Sequence, residues 1–199
     1  MTRIMTRNGK MMSRGGLVLA NTRPEIDYVV IGNQRWMKKN LAIDDGEGGI
    51  YTQTVNYGHG DVTEYYYTWE AAVRVANSIP GWHLPSTEEF ETLIETVGQS
   101  TAGTKLKSTY GWAVSQYFDG NGTDDYGFTG LPAGYYDSRY YDSIEEIGYE
   151  TYFWTSTEYS STVAYSYGLE AHDDDDEEML QYESLKLLGF SVRLIKDVN

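Results

Sequence analysis

Residues 69–98, WEAAVRVANSIPGWHLPSTEEFETLIETVG, decide the fold class because they predict two consecutive helices. The first helix carries an apolar stripe at helical spacing and ends before Pro80-Gly81: Trp69, Ala72, Val73 and Ala76. The second begins with a capping box of Ser86 and Glu89, ends at Gly98, and carries its own stripe: Phe90, Leu93, Ile94 and Val97.

Strand patterns flank these helices on both sides. Upstream, Tyr28–Ile31 and Gln34–Met37 surround Gly32-Asn33, a pair typical of a two-residue hairpin turn. Downstream, three strands are predicted over 149–155, 163–170 and 189–195, and alternation in the last predicts one buried face. The loops of 111–149 are rich in Gly, Asp, Ser and Tyr. We therefore expect an α+β domain with two helices packed on a twisted antiparallel sheet and long ordered loops.

The charge divides the 199-residue chain into two parts. Residues 1–24 hold five basic and no acidic side chains, whereas 25–199 carry a net charge of -20 within a total of -15. We expect 1–24 to be either a flexible leader or an arm that contacts a neighbouring subunit or virion, and 25–199 to be one domain. Proteins bind the phosphate backbone of nucleic acids largely through positively charged side chains. The net negative charge of this domain therefore argues against a nucleic-acid partner.

The absence of cysteine excludes a disulfide scaffold, a thiolate zinc site and a cysteine nucleophile. No apolar run approaches the roughly 18 residues that indicate a membrane span, so no membrane insertion is expected. The longest apolar stretch behind the basic start, 17–20, is shorter than the core of a signal peptide. We therefore favour a phage virion or tail over a secreted or cell-surface location.

Five blocks in order resemble the Fibrobacter succinogenes major paralogous domain over residues 28–196. They are IGNQRWMKKNL (31–41), GWHLPS (81–86), YGFTGLPAG (126–134), FWTSTE (153–158) and GFSVRL (189–194). The resemblance implies a C-type-lectin-like fold, shared with formylglycine-generating enzymes and with variable proteins diversified by retroelements. The lack of cysteine excludes the formylglycine-generating chemistry that this likeness suggests.

In such variable proteins the ligand contacts are Tyr, Ser, Asn and Asp near the C-terminus, and 11 of the 19 tyrosines here lie between residues 126 and 182. Tyrosine offers a rigid amphipathic ring at low entropic cost, which suits adaptable recognition. The predicted ligand-binding residues form an upstream and a downstream group: Tyr135, Tyr136, Asp137, Ser138, Tyr140 and Tyr141, followed by Tyr159, Ser160, Ser161, Tyr165 and Tyr167.

Two acidic segments suggest ion binding. Asp119, Asn121 and Asp124 offer oxygen ligands at spacings typical of calcium loops, although the closing bidentate Glu of an EF-hand is missing. A structural calcium and a hydrated turn are the two interpretations of this loop, and no cofactor is required. The run 173–178, DDDDEE, predicts a solvated loop, with a contact for a basic partner or divalent ion as the alternative.

No catalytic constellation stands out. His59, His83 and His172 lie far apart without an H-E-x-x-H pattern, and His83 is predicted to be a packed, hydrogen-bonded structural ring. No carboxylate pair is distinguished among 30 acidic residues. We therefore expect a binding protein that recognises a protein or glycan on a cell surface, not an enzyme. The alternatives are a bacterial cell-surface domain with a structural or adhesive role and, less favoured, a polysaccharide-acting enzyme.

Overall fold

The computed structural model describes residues 26–116, 118–139, 142–172 and 177–197, so the predictions for 1–24 and 173–176 lie outside the described residues. Ten strands run through them: β1 (Tyr28–Ile31), β2 (Gln34–Met37), β3 (Ile50–Asn56), β4 (Asp61–Tyr67), β5 (Tyr135–Asp137), β6 (Ser143–Glu145), β7 (Glu150–Glu158), β8 (Val163–Glu170), β9 (Leu180–Leu185) and β10 (Ile195–Asp197). The helices are α1 (Trp69–Asn77), α2 (Thr87–Val97) and α3 (Ala102–Leu106), with a 3₁₀ turn at Gln99–Thr101.

The mixed α+β class is confirmed, but the single antiparallel sheet is wrong. The described strands form four small antiparallel sheets, ordered β1-β2-β10, β3-β4, β5-β6 and β7-β8-β9. The segment between β9 and β10 connects them through isolated bridges: Gly189 with Tyr136, Phe190 with Tyr67, and Ser191 with Phe153. These single bridges join the sheets without extending any one of them.

The predicted hairpin is confirmed as β1 and β2, with Gly32 at φ +61° in its turn. The predicted strand 163–170 coincides with β8, and 149–155 corresponds to β7. The prediction for 189–195 is wrong in two respects. Regular strand structure begins only at Ile195. Ser191 and Arg193 are buried, as are the apolar residues that alternate with them, so no face of this segment meets solvent.

Both predicted helices are confirmed. The Thr68 hydroxyl caps α1 by accepting a 3.4 Å hydrogen bond from the Ala71 N–H, and the helix ends at Asn77, before Pro80. In α2 the capping box is complete: the Ser86 hydroxyl accepts from the Glu89 N–H, and Glu89 Oε2 accepts from the Ser86 N–H at 2.8 Å.

The other oxygen of Glu89, Oε1, lies 2.7 Å from Nε2 of His83. Burial opposes ionisation of Glu89, but the hydrogen bonds from His83 and the Ser86 backbone outweigh it and hold the pKa of Glu89 below its ordinary value. A carboxyl with a lowered folded pKa stabilises the protein above its unfolded pKa, and this contribution disappears as the pH falls through the folded value. The hydrogen bond predicted for His83 is present, but the expectation of a packed ring is wrong, because 45% of the side chain is exposed.

Replacing Glu89 by glutamine is therefore expected to lower the free energy of unfolding by about 0.5 to 1 kcal/mol at pH 7, because glutamine can keep the capping box but loses the negative charge at the start of the helix. The difference from the wild type should shrink as the pH falls below the ordinary pKa of glutamate, about 4.3, and through the lower folded pKa of Glu89. Urea unfolding at pH 7 and pH 3 measures both values, with Glu95→Gln on the exposed side of the same helix as the matched control. A deficit of equal size at both pH values would contradict the assignment.

Two large hydrophobic clusters and one small cluster form the core. One lies under α2 and contains Trp36, Phe90, Phe128 and Phe153, and the second lies under α1 and contains Tyr67, Trp154, Phe190 and Val192. Tyr66, Ala133 and Tyr136 form the small cluster. Each large cluster takes side chains from both the helical and the C-terminal parts of the chain. None of the helices described is both long and apolar enough to cross a membrane.

Candidate functional site

The turn between β7 and β8 presents the most exposed part of the predicted ligand-binding set. Tyr159 is 55% exposed, and Ser160 and Ser161 beside it are also exposed. The Tyr159 ring packs edge-on against half-buried Tyr165, with ring centroids 5.6 Å apart. We call residues 159–162, together with Tyr165, the tip. It places the ring of Tyr159 and three hydroxyl side chains in solvent, those of Ser160, Ser161 and Thr162.

Local hydrogen bonds hold the tip in one conformation. The N–H groups of Tyr159 and Ser160 both donate to the carbonyl of Val163, at 3.0 and 2.9 Å. The Ser160 hydroxyl accepts from the N–H groups of Thr162 and Val163. This serine therefore acts as an internal turn cap, which leaves Tyr159, Ser161 and Thr162 as the exposed side chains available to a ligand.

A buried lysine braces the tip from below. Lys186 is nearly fully buried, and its ammonium donates to the Glu158 carboxylate and lies 3.4 Å from the Ser161 carbonyl. The same Nζ lies 4.1 Å from the ring centroid of Trp69, a cation–π distance. Sequence reasoning missed Lys186, because nothing near it in the chain indicates that a lysine there would be buried.

Tyr167 belongs to the core, so the expectation of an exposed ring at this position is wrong. It is 3% exposed and stacks on Phe90 at 4.6 Å, and burial raises its pKa to about 12. Tyr165 and Tyr167 occupy alternate positions on β8, so both side chains point to the same face. The core cluster under α2 covers that face at Tyr167 but not at Tyr165.

In the upstream group, Tyr136 is buried, and the expectation of an exposed ring is wrong there too. It is 6% exposed, its ring stacks on Tyr51 at 3.6 Å, and its hydroxyl donates to Asp142. That hydrogen bond, followed by burial, raises the pKa of Tyr136. Asp137 is buried and holds the Arg139 guanidinium at 2.7 Å, which lowers the pKa of Asp137. Both residues serve the structure of their loop.

The rest of the upstream group is more accessible. Tyr135 is half-buried, with its ring against Tyr152 and Phe190, and burial followed by the charge of Glu150 raises its pKa. Ser138 is exposed, whereas Tyr140 and Tyr141 lie outside the described residues. In the described part of the chain, no hydrogen bond or ring contact joins this group to the tip. The described contacts therefore do not join the two predicted groups into one surface.

An open groove of about 660 Å³ runs beside the upstream group, a feature that the sequence did not predict. Its walls are β3 on one side and the β5-β6 hairpin on the other: Tyr51, Thr52, Gln53, Tyr136, Asp142, Ser143, Ile144 and Ile147. The signal for β3 was weak because its middle carries three consecutive exposed polar residues, Thr52, Gln53 and Thr54, which do not alternate with apolar residues as in a half-buried strand.

The loop predicted to bind calcium is organised by internal hydrogen bonds. Asp119 Oδ1 accepts from both the backbone and side-chain N–H groups of Asn121, at 3.0 and 2.8 Å. Asp124 accepts from the N–H and the hydroxyl of Thr129, each at 2.7 Å, with the backbone of Asp124 at φ +49°. Protein donors thus already engage both carboxylates, and the structural calcium stays a prediction.

A second oxygen-rich cluster lies where β7 begins and β8 ends. Among the described residues, Glu150, Glu170 and His172 are the one group of three whose potential ligand atoms all lie within 4.8 Å of one another. The Tyr152 hydroxyl lies 2.9 and 3.1 Å from the two carboxylates, and Tyr182 donates to Glu170. Burial and the charge of Glu150 raise the pKa of Tyr152, which keeps it a proton donor. Carboxylates and imidazole are chemically able to hold a divalent cation, and here Tyr152, Tyr182 and His172 already lie within hydrogen-bond distance of the two acids.

Comparison with known proteins identifies one family. The family model of the Fibrobacter succinogenes major domain matches residues 29–196, most of the chain. No curated protein matches the chain, and no solved structure does. The match covers all the strands and helices described above except the first residue of β1 and the last of β10.

Proposed function

The chain belongs to the Fibrobacter succinogenes major domain family, and from this premise we propose that it is a recognition protein with a C-type-lectin-like fold. It binds a protein or glycan on the surface of another cell or particle, through the tip, without chemical turnover. The observation that carries the proposal is the exposure of Tyr159 on a turn braced from below by Lys186.

The tip has the chemistry of an adaptable binding surface. The ring of Tyr159 offers an apolar face and a phenolic hydroxyl, and Ser161 adds a second donor and acceptor at its side. Because the turn is already closed by backbone hydrogen bonds, little conformational entropy is lost when a ligand binds. The exposed side chains can vary without disturbing the brace, since Lys186 contacts Glu158, Trp69 and the Ser161 carbonyl but not the Tyr159 ring.

This recognition role suits a phage adhesin or a retroelement-diversified variable protein. In either setting the basic segment 1–24 serves as the arm that attaches the domain to a virion or to further copies of itself. Several linked copies would raise the avidity of individually weak tip contacts. A bacterial cell-surface adhesive domain would use the same tip with a different attachment.

Replacing Tyr159 by alanine is expected to weaken target binding at least tenfold, because truncation of a central tyrosine in an interface typically costs more than about 1.4 kcal/mol. The measurement uses the fluorescently labelled full chain on a glycan array and on a panel of intact bacterial cells. Tyr149→Ala is the matched control, because Tyr149 is a similarly exposed tyrosine at the opposite end of β7.

The expected pattern is loss of binding in Tyr159→Ala with wild-type binding in Tyr149→Ala, and unchanged circular dichroism in both. Equal binding by the wild type and Tyr159→Ala would show that Tyr159 does not contribute to recognition, which contradicts the role proposed for the tip. An absence of wild-type binding to every glycan and every cell type in the panel would count against surface recognition as the function.

A further inference from the structure

A cavity of about 410 Å³ lies beside β4 and is separate from the tip. Its volume falls in the range of small-molecule sites. Apolar and aromatic side chains form part of its wall, and charged groups from four segments of the chain converge on it. The lining residues central to its chemistry are Asn40, Leu41, Glu64, Tyr110, Leu131 and Arg193.

Glu64 brings a buried carboxylate to this cavity. It is 2% exposed, and burying an ionised carboxylate is costly unless hydrogen bonds compensate it. Its described donors are the Asn40 amide, 3.0 Å from Oε2, and the Tyr57 hydroxyl, at a long 3.3 Å from Oε1. Burial and the charge of Glu64 raise the pKa of Tyr57, so that this hydroxyl stays protonated. A carboxylate offers about four acceptor positions, so about two of those of Glu64 have no donor from the described protein.

The neighbouring arginine does not fill these positions. Arg193 Nε donates to Asn40 Oδ1 at 2.7 Å, and its other nitrogens donate to the carbonyls of Met37, Phe128 and Thr129. The Asn40 amide therefore stands between the two charges: its oxygen accepts from Arg193 and its nitrogen donates to Glu64. We call this chain of hydrogen bonds from Arg193 through Asn40 to Glu64 the relay. It orients the Glu64 carboxylate and leaves its remaining acceptor positions to an occupant of the cavity.

The charges around the cavity select a neutral occupant. Arg193 and the exposed Lys38 and Lys39 disfavour a cation, while Glu64 and Asp27 disfavour an anion. The free positions on Glu64 accept hydrogen bonds, so the occupant must donate them. Hydroxyl groups are donors that carry no charge.

We propose that this cavity binds a neutral polyhydroxylated molecule of monosaccharide size. Its hydroxyls donate to the Glu64 carboxylate, and its C–H surface packs on Leu131 and Tyr110. The site is distinct from the tip and takes a single small molecule rather than a surface. Its occupancy would also supply the hydrogen bonds that the buried carboxylate lacks.

The test titrates ¹⁵N-labelled full chain with methyl glycosides of glucose, galactose and mannose and with myo-inositol, followed by NMR. The expected result is saturable shifts of the Asn40 side-chain amide and the Thr63 backbone amide with at least one of these polyols. Glu64→Gln should weaken that binding about tenfold, because a hydrogen bond to a carboxylate is stronger than one to an amide. Glu70→Gln, an exposed acid on α1, is the matched control and should bind as the wild type does.

A second variant keeps the test independent of Glu64. Val62 lines the cavity with a partly exposed side chain, so Val62→Trp should fill it and abolish the shifts without touching the relay. The proposal is overturned if none of the four polyols shifts the two amides, or if binding survives unchanged in Glu64→Gln or in Val62→Trp. Saturable shifts with ethylammonium, but with none of the polyols, would contradict the proposal that the occupant is neutral.

Discussion

Replacing Arg193 by methionine is expected to lower the free energy of unfolding by about 3 to 5 kcal/mol, the range seen when one partner is removed from a buried charged network. Arg193 is 1% exposed, and burial lowers its pKa to about 10. Its guanidinium also lies 4.5 Å from the ring centroid of Phe128. Methionine retains an unbranched apolar stem, so the main loss is the guanidinium and not the packing.

The expected loss of stability is large because the Arg193 guanidinium connects several backbone groups. It donates to backbone carbonyls of Met37, Phe128 and Thr129, which belong to segments far apart in the chain. Without it those carbonyls lose a donor, in buried surroundings for Met37 and Phe128, and Glu64 loses the nearby positive charge to which Asn40 connects it. The cost therefore includes unsatisfied groups as well as lost hydrogen bonds.

Urea unfolding measures the loss, with Arg74→Met as the matched control. Arg74 also binds an acid, Asp45, through two hydrogen bonds of 2.7 and 3.0 Å, but this pair lies at the surface, where solvent screens it. Arg74→Met should therefore cost only a small fraction of the Arg193→Met effect. Similar losses in the two variants would show that Arg193 contributes no more than a surface ion pair.

Replacing Gly134 by alanine is the second large effect, a loss of about 2 to 5 kcal/mol in the free energy of unfolding. Gly134 has φ +71°, and a Cβ atom there would overlap the carbonyl oxygen of Glu145 and lie 3.0 Å from the Ile147 nitrogen. Both obstacles are backbone, which cannot move aside as a flexible side chain does. The Gly134 N–H also donates to the Glu150 carbonyl at 2.7 Å, which fixes its position against β7.

Gly58→Ala separates the steric part of this loss from the conformational part. Gly58 has φ +90°, but the position of its Cβ is open space, so alanine there should cost only about 1 to 2 kcal/mol of left-handed strain. Thermal or urea unfolding of the two variants gives the comparison. If Gly58→Ala were as destabilising as Gly134→Ala, the close approach of Gly134 to the backbone of Glu145 and Ile147 would contribute nothing.

The local elements could be predicted from sequence because their signals are local. The capping box of α2 needs only Ser86 and Glu89, three residues apart, and the first hairpin needs only its turn pair and flanking strands. The family could also be recognised in advance, because five short blocks occur in the right order. The match over residues 29–196 confirms that resemblance.

The burial of polar side chains could not be predicted in the same way. Tyr165 and Tyr167 are two residues apart on one strand, yet one is half-buried and the other is in the core, because the packing of α2 reaches only Tyr167. Tyr136 is covered by Tyr51, which is 85 residues earlier and belongs to a hairpin that the sequence did not reveal. Composition identified a tyrosine-rich region but not which rings meet solvent.

The sequence by itself determined the α+β class, the two principal helices, the first hairpin and the family, because short-range periodicity, caps and ordered motifs encode them. Only the tertiary structure decided that Lys186 braces the tip and that Asn40 links Glu64 to Arg193 across 24 and 153 positions of the chain. The physical reason is that burial and charge compensation depend on which distant segments pack together. No periodicity near a single lysine or glutamate carries that information.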